Sequence, residues 1–161
     1  MSVDLYRVDE RLIHGQVVLG WGGQLATRRY IVVDDELAGS GWEQDLYRLG
    51  AGGAELVFVT LSEALGALTG WQVDGVASIL LTRDVRTMRL LSESGDMDGC
   101  AVNIGGLHHA PGRVRVLDYV YLSPRDDEDL RVLADQGVTV SARDLPDMHP
   151  TSLATLLDRR R

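Results

Sequence analysis

Residues 7–18 of the chain have the sequence Arg-Val-Asp-Glu-Arg-Leu-Ile-His-Gly-Gln-Val-Val. Met1 to Val8, which overlap the start of this stretch, predict a first strand because their apolar residues are β-prone. Gly15 to Ala26 predict an amphipathic helix, since apolar residues recur there at helical spacing. The stretch therefore places His14 at a strand-to-helix turn.

A turn of this kind suits an anion. The first turn of a helix leaves backbone N–H groups unpaired, and the positive end of the helix dipole points the same way. His14 could carry a phosphoryl group there, with Arg11 and the backbone N–H groups of Gly15 and Gln16 holding its oxygens. The alternative is a histidine that only caps the helix or lies on the surface.

The two charged neighbours of His14 each have two interpretations. The planar guanidinium of Arg11 matches phosphoryl oxygens in a bidentate way, but it could also form a surface salt bridge with Glu10 or Asp9. Asp9 could hold Arg11 or one imidazole nitrogen, which would fix the nitrogen that is free to attack. Aspartate is also common in turns, so a purely local role for Asp9 stays open.

Four blocks of the chain resemble one protein family. Arg7 to Val17 is similar to the active-site signature of the IIB component of the mannose/fructose/sorbose family of the bacterial phosphoenolpyruvate-dependent sugar phosphotransferase system. Further blocks resemble the family's second strand, its glycine-rich loop, and its last strand with the exit from it. These blocks are Ile31 to Ala38, Asn103 to His108, and Gly137 to Val140 followed by Leu145-Pro146. The resemblance covers nearly the whole chain.

The resemblance implies a function. A IIA protein would donate a phosphoryl group, Nδ1 of His14 would accept it, and a sugar held by the membrane components IIC and IID would receive it. Such a protein needs no cofactor and would be cytoplasmic, associating with the membrane only through these partners. Because two partners must reach His14 in turn, we expect it to be exposed at the base of a shallow surface.

Two other groups of polar residues attract attention. Asp34, Asp35 and Glu36 could form a metal site, although carboxylates at a helix start are commonly caps. The loop that contains Gly105 and His108 more plausibly shapes a docking surface, because adjacent histidines without Cys or His partners at zinc spacing are weak metal ligands. The sequence therefore predicts no metal site and assigns these residues to the rim of the site.

Composition excludes several classes of protein. The length of 161 residues predicts one domain over residues 1–161. The net charge of -8 argues against a nucleic-acid binder. A lone cysteine, Cys100, cannot form an intramolecular disulfide, which suits a reducing cytoplasm, and we expect it to be buried. Neither a signal peptide nor a run of ~20 apolar residues is present, so we expect no direct membrane insertion.

Apolar strand-like runs alternate with helical ones along the chain. This rhythm predicts an α/β fold, a single-domain open, mostly parallel twisted sheet with helices on both faces. The later strands are predicted at Tyr30 to Val33, Glu55 to Thr60, Val76 to Thr82, Cys100 to Ile104, two short runs within Val114 to Leu122, and a last one at Val138 to Ser141. The later helices are predicted at Trp42 to Leu49, Leu61 to Leu68, Val85 to Leu91, Pro124 to Asp135 and Thr151 to Arg159.

In such sheets ligands bind outside the carboxyl ends of the strands. If the first strand is central, the loop that carries His14 lies beside the loops at Asp34 and Gly105. Two other functions stay open at this stage. One is a regulatory or binding protein of the same fold that feeds no transporter, and the other is an unrelated enzyme that acts on a small phosphorylated substrate.

Overall fold

The computed structural model describes residues 2–161. Its strands are β1 (Val3–Val8), β2 (Arg29–Val33), β3 (Glu55–Val59), β4 (Ser78–Thr82), β5 (Ala101–Ile104), β6 (Val114–Leu117), β7 (Val120–Leu122), β8 (Thr139–Ala142) and β9 (Thr151–Ser152). A π-helical segment, Gln16–Trp21, leads into the first α-helix. The α-helices are α1 (Gly22–Leu25), α2 (Asp35–Ala38), α3 (Gly41–Leu49), α4 (Leu61–Val73), α5 (Val85–Ser92), α6 (Pro124–Asp135) and α7 (Leu153–Arg160).

A seven-stranded sheet in the order β3-β2-β4-β1-β5-β8-β9 forms the centre of the fold. Its pairs are parallel except for β8 with β9, and β6 and β7 form a separate antiparallel hairpin. The first strand is central, since Val8 lies between Thr82 of β4 and Ile104 of β5. The predicted α/β fold is confirmed.

Side chains alternate between the two faces of the sheet. In β2, Ile31 and Val33 pack on the core that α4 to α7 cover, whereas Tyr30 and Val32 pack on the core that the π-helical segment, α2 and α3 cover. Both faces of the inner strands are apolar because helices bury both, as expected for a mostly parallel sheet.

The chain leaves β1 toward the second of these faces and leaves β4 and β5 toward the first. The connections that leave the carboxyl ends of β1 and its neighbours therefore go to opposite faces, and in open α/β sheets ligands bind at such a position. Among residues 2–161, no helix combines the length and the apolar composition that crossing a bilayer requires.

The structure corrects several predicted elements. Gly15 to Ala26 is helical as predicted, but half of it is π-helical, and hydrophobic periodicity does not separate the two forms. Val138 to Ser141 is not the last strand, because the two residues of β9 pair antiparallel with Ser141 and Ala142 and α7 begins only after them. Two residues are too few to show the alternation of apolar and polar side chains by which a strand is predicted from sequence. The loop expected at Asp34 contains the short helix α2.

The other elements fall within a few residues of their predicted bounds, and α6 has the predicted bounds. Met1, the first residue of the predicted strand Met1 to Val8, lies outside the described residues. Cys100 is buried as expected.

Candidate active site at the carboxyl end of the first strand

The loop after β1 turns back sharply over the end of the strand. Leu12 adopts a left-handed backbone conformation with φ 55°, which is unusual for a leucine. Its side chain is fully buried, and its N–H donates to the Asp9 carbonyl at 3.0 Å. Packing therefore holds a backbone conformation that local sequence preference would not choose, and the turn returns His14 to Asp9.

His14 and Asp9 form an ion-pair-like contact, here called the Asp9–His14 pair. Nε2 of His14 lies 3.0 Å from Oδ2 of Asp9. Asp9 is fully buried, and the His14 side chain is 14% exposed, which is less open than the sequence led us to expect. A carboxylate can only accept, so Nε2 carries the proton of a neutral ring and Nδ1 keeps its lone pair. The predicted contact between Asp9 and an imidazole nitrogen is present.

Asp9 is surrounded by donors. Its Oδ2 also accepts from Nη2 and Nε of Arg7, at 3.0 and 3.3 Å, and its Oδ1 accepts from the backbone N–H of Arg11 at 3.0 Å. Burial opposes the ionisation of Asp9, but the hydrogen bond with His14 and the charge of Arg7 outweigh it and hold the pKa of Asp9 below its ordinary value. Asp9 is therefore an anion beneath the histidine ring.

Arg7 anchors the site from inside the sheet. It is fully buried, and its Nη1 donates to Oδ1 of Asn103 and, at 2.9 Å, to the Arg143 carbonyl. Burial lowers the pKa of the guanidinium, and the charge of Asp9 opposes that effect. Gly105 lies directly over the guanidinium, where any Cβ would overlap it. The sequence analysis missed this role of Arg7, although a charged residue in a strand predicted to be buried requires a partner.

Trp21 joins the π-helical segment to the same anchor. Its buried ring contacts two guanidiniums, with its centroid 5.5 Å from Cζ of Arg7 and 4.9 Å from Cζ of Arg143, and its Nε1 donates to the Asp144 carbonyl at 2.9 Å. These cation–π contacts and the hydrogen bond fix the segment that follows His14 against the sheet.

Arg11 lies at the outer side of the pair. Its side chain is 44% exposed, and its Nη2 donates to Oε1 of Gln16 at 2.6 Å. Its Nε is 3.8 Å from Oδ1 of Asp9, an ion pair but too long for a hydrogen bond. Gln16 also donates through Nε2 to Oδ2 of Asp144 at 3.2 Å. Arg11 and Gln16 thus meet through their side chains, a contact that the sequence did not indicate.

Gly15 begins the π-helical segment with ordinary right-handed dihedrals, φ −53° and ψ −43°, so its backbone does not require a glycine. Among the described residues no side chain caps this segment, and a Cβ at residue 15 would meet nothing within 4 Å. The space beside His14 is therefore open.

The glycine-rich loop is tied to the site through Glu10, which the sequence analysis considered only as a partner of Arg11. The Glu10 N–H donates to the Gly106 carbonyl at 2.9 Å. The Glu10 carboxylate binds Arg113 and also lies 2.9 Å from Nδ1 of the His108 ring. His108 therefore faces Glu10, and His109 packs edge-on against Tyr121. Within residues 2–161, no cluster of three or more His, Cys, Asp or Glu side chains has the geometry of a metal site.

Asp34 and Asp35 have structural contacts. Asp34 accepts from the Leu37 N–H at 2.9 Å as the N-cap of α2, and from Arg83 Nε at 3.0 Å. Asp35 accepts from the Leu61 N–H at 2.8 Å, which ties α2 to the start of α4. The capping interpretation is confirmed for Asp34. Among the described contacts, neither residue touches the Asp9–His14 pair.

Comparison with known proteins gives a consistent result. Residues 3–161 match the family model described as the PTS system sorbose subfamily IIB component. The N-acetylgalactosamine-specific phosphotransferase enzyme IIB component 1 of Escherichia coli is 32% identical over 147 residues, which are 90% of this chain and 92% of that protein. The mannose-specific EIIAB component of the same organism is 26% identical over 99% of this chain, which spans only 50% of that protein.

Solved structures agree. The crystal structure of the E. coli N-acetylgalactosamine-specific IIB component 1 superposes with a TM-score of 0.86 at 30% identity, over 93% of this chain and 98% of that one. The IIBSor domain of the sorbose permease from Klebsiella pneumoniae gives a TM-score of 0.88 at 26% identity, over 98% of each chain. The family model covers nearly the whole chain, the fold agrees, and a histidine in contact with an ionised aspartate follows β1. The chain therefore belongs to the sorbose-subfamily IIB components of the sugar phosphotransferase system.

Proposed function

We propose that this IIB component is a phosphoryl carrier. Nδ1 of His14 accepts a phosphoryl group from a IIA protein and passes it to a sugar held by the membrane components IIC and IID. The observation that carries the proposal is the 3.0 Å contact between Nε2 of His14 and the buried, ionised Asp9. That contact leaves Nδ1 as the nucleophilic nitrogen.

In the first step, the lone pair of Nδ1 attacks the phosphorus of a phosphohistidine on the donor. The bond between phosphorus and the donor nitrogen breaks as the bond to Nδ1 forms, and the donor ring recovers its lone pair. The His14 ring gains positive character, which the Asp9 carboxylate beneath it stabilises. Transfer of this kind depends on positioning and charge more than on acid–base chemistry.

The oxygens of the phosphoryl group need donors. Arg11 offers a guanidinium that is exposed and already held next to the pair by Gln16. The uncapped start of the π-helical segment supplies backbone N–H groups of Gly15 and Gln16, and the open space at Gly15 leaves room for the group. We assign Arg11, Gly15 and Gln16 to phosphoryl binding.

In the second step a sugar hydroxyl attacks the phosphorus. The hydroxyl releases its proton to water as the P–O bond forms, and Nδ1 recovers its lone pair when the P–N bond breaks. The neutral ring with Nε2–H toward Asp9 is restored, ready for the next donor. The same contact therefore supports both halves of the cycle.

The proposed partners fit the position of the site. His14 lies on a loop at the carboxyl end of the central strand β1. Asp34 and Asp35 lie at the start of α2, after the carboxyl end of β2, and His108 lies on the loop after β5, so we assign them to the docking rim. The name of the mannose-specific EIIAB relative joins the letters A and B in one protein, which supports a IIA protein as the donor. A cytoplasmic location, with membrane contact made through IIC and IID, follows from the same proposal.

The test is phosphorylation of the purified protein by phosphoenolpyruvate, the general phosphotransferase proteins and a IIA protein. Wild type should acquire one acid-labile phosphate, and His14→Ala should acquire none while unfolding at the same urea concentration. His149→Ala is the matched control and should be labelled like wild type. Label that persists in His14→Ala would refute the proposal. Labelled protein that transfers nothing to sugar, with membranes containing IIC and IID, would favour a regulatory role.

A further inference from the structure

Asp144 is a carboxylate that touches the site from a distant part of the chain. It follows β8, and its Oδ2 accepts from Nε2 of Gln16 at 3.2 Å. Its backbone carbonyl accepts from Trp21, so the residue is tied to the π-helical segment by two contacts. The carrier chemistry described above does not use it.

We propose that Asp144 is a positioning residue for phosphoryl transfer. By holding the amide of Gln16 in one orientation, it makes Gln16 present an acceptor to Arg11 and thereby keeps the guanidinium beside His14. This inference rests on the proposed roles of His14 and Arg11.

The side-chain amide of Gln16 lies between Asp144 and Arg11. The side chain of Gln16 has an oxygen that accepts and an NH₂ group that donates, and its orientation is set by its partners. Asp144 can only accept, so it binds the NH₂ end. Arg11 can only donate, so it requires the oxygen end, and both requirements are met at once. Rotation of the amide by 180° would place two donors opposite each other and two acceptors opposite each other.

Arg11 depends on this amide. Its Nε lies 3.8 Å from Asp9, so within residues 2–161 the contact with Gln16 is the one hydrogen bond of the guanidinium to another side chain. A long, half-exposed arginine loses side-chain entropy when it is ordered. A fixed acceptor orders Arg11 before the phosphoryl group binds, so less of this entropy is lost during transfer.

Asp144 itself is held by charge. Its Oδ1 is buried without a hydrogen-bond partner and lies 3.7 Å from Nη2 of the buried Arg7. The same guanidinium that supports Asp9 thus also attracts Asp144. The buried cation therefore organises both carboxylates, one beneath the histidine and one behind the glutamine.

The experiment exchanges the chemistry of the two partners. Gln16→Glu places a carboxylate against Asp144 and should lower kcat for transfer from phosphorylated IIA by about 10-fold, as expected for one misplaced hydrogen bond, with little change in KM. Adding Asp144→Asn places an amide donor at residue 144 opposite the new carboxylate at residue 16. The kcat of the double variant should therefore recover to within about 3-fold of wild type. Gln24→Glu, on the exposed part of α1, adds the same charge elsewhere and should be silent.

Asp144→Ala should show the same loss in kcat as Gln16→Glu. Urea unfolding of every variant separates a positioning effect from a loss of stability. Wild-type kcat in both Asp144→Ala and Gln16→Glu, or a folded double variant as slow as Gln16→Glu, would overturn the inference. If Asp144→Ala fails to fold, Gln16→Glu and its double variant decide the question. Failure of wild type to be labelled at His14 would instead refute the proposed function, so the two failures are distinguishable.

Discussion

Two buried arginines at opposite ends of the sheet form contrasting pairs with aspartates. Arg29, at the start of β2, donates to both oxygens of Asp74, at 2.7 and 3.2 Å, and its Nε donates to Ser78 Oγ at 2.8 Å. Both oxygens of that carboxylate face the arginine fork, and Oδ1 also accepts from the Val76 N–H at 3.0 Å, so the pair joins the ends of two connections.

Arg7 and Asp9 each have further side-chain or backbone partners besides one another. A single oxygen of Asp9 accepts from Arg7 and from His14, and Arg7 also binds Asn103 and the Arg143 carbonyl. Arg29 lies at the amino ends of the parallel strands, whereas Asp9 follows a carboxyl end, where loops diverge. A buried ion pair therefore becomes useful for chemistry when its carboxylate is left partly open to a third group.

The largest expected effect is that of neutralising each aspartate in turn. Asp9→Asn leaves Arg7 buried beside a neutral amide, so it should lower the free energy of unfolding by about 3–5 kcal/mol and reduce phosphoryl transfer by at least ~100-fold. Asp74→Asn should lower stability by less, because Asp74 is partly exposed, and should leave transfer unchanged. Urea denaturation and transfer of labelled phosphate from IIA measure both quantities. Equal effects of the two variants on transfer would contradict the claim that Asp9, unlike Asp74, supports phosphoryl transfer.

Arg11 should affect transfer without affecting folding. Arg11→Lys keeps the charge but loses the planar fork, so we expect transfer to fall by about 100-fold, the loss typical for a donor that stabilises transition-state charge. Because the side chain is half exposed, the free energy of unfolding should change by less than about 0.5 kcal/mol. Arg48→Lys, on a similarly exposed arginine paired with Asp45 at 3.0 Å, is the matched control. Normal transfer by Arg11→Lys would remove Arg11 from the site.

The close approach of Gly105 to Arg7 predicts a difference between two adjacent glycines. A methyl group at residue 105 overlaps the guanidinium, whereas at residue 106 its nearest neighbour is Oδ1 of Asp9 at 3.4 Å, an ordinary contact. Gly105→Ala should therefore destabilise by about 1–3 kcal/mol through overpacking, and Gly106→Ala by much less. Thermal unfolding of both variants checks this. Equal melting temperatures would mean that Arg7 can shift without cost.

The smallest effect concerns acid. The pKa of Asp9 is depressed despite burial, because the hydrogen bond with His14 and the charge of Arg7 favour the anion, and the hydrogen bond from Arg29 depresses the pKa of Asp74. A depressed carboxyl pKa gives stability that is present above the unfolded pKa of about 4 and is lost as the pH falls through the folded value. Wild type should therefore lose stability below about pH 4, and Asp9→Asn should lose less.

Urea midpoints at a series of pH values between about 7 and 3 test this dependence. Asp74→Asn should also flatten the curve, but to a smaller extent because solvent screens the exposed carboxylate. Parallel curves for wild type and Asp9→Asn would show that Asp9 does not ionise differently in the folded state.

The sequence predicts best where the signal is local. Helix α6 has its predicted bounds because Ser123 and Asp126 form a capping box around Pro124, all within four residues. The contact of Asp9 with His14 is one of the interpretations that the sequence leaves open, since the two residues are five positions apart in one loop.

Contacts made by the sheet as a whole are not visible in this way. Asn103 and Asp144 reach Arg7 only because β5 lies beside β1 and β8 lies beside β5, more than ninety residues along the chain. A local pattern carries no information about that register. Arg7 itself offered a signal, because it and Asp9 point to the same side of an extended segment.

The central position of β1 has a consequence for motion. A strand with hydrogen-bonded neighbours on both sides exchanges its amide protons only when the whole sheet opens, whereas β3 and β9, at the two edges, exchange through local fluctuations. The strand that precedes Asp9 is thus among the slowest parts of the chain to exchange with deuterium. If the proposed partners contact the His14 loop in turn, β1 keeps its conformation beneath the loop while they bind and leave.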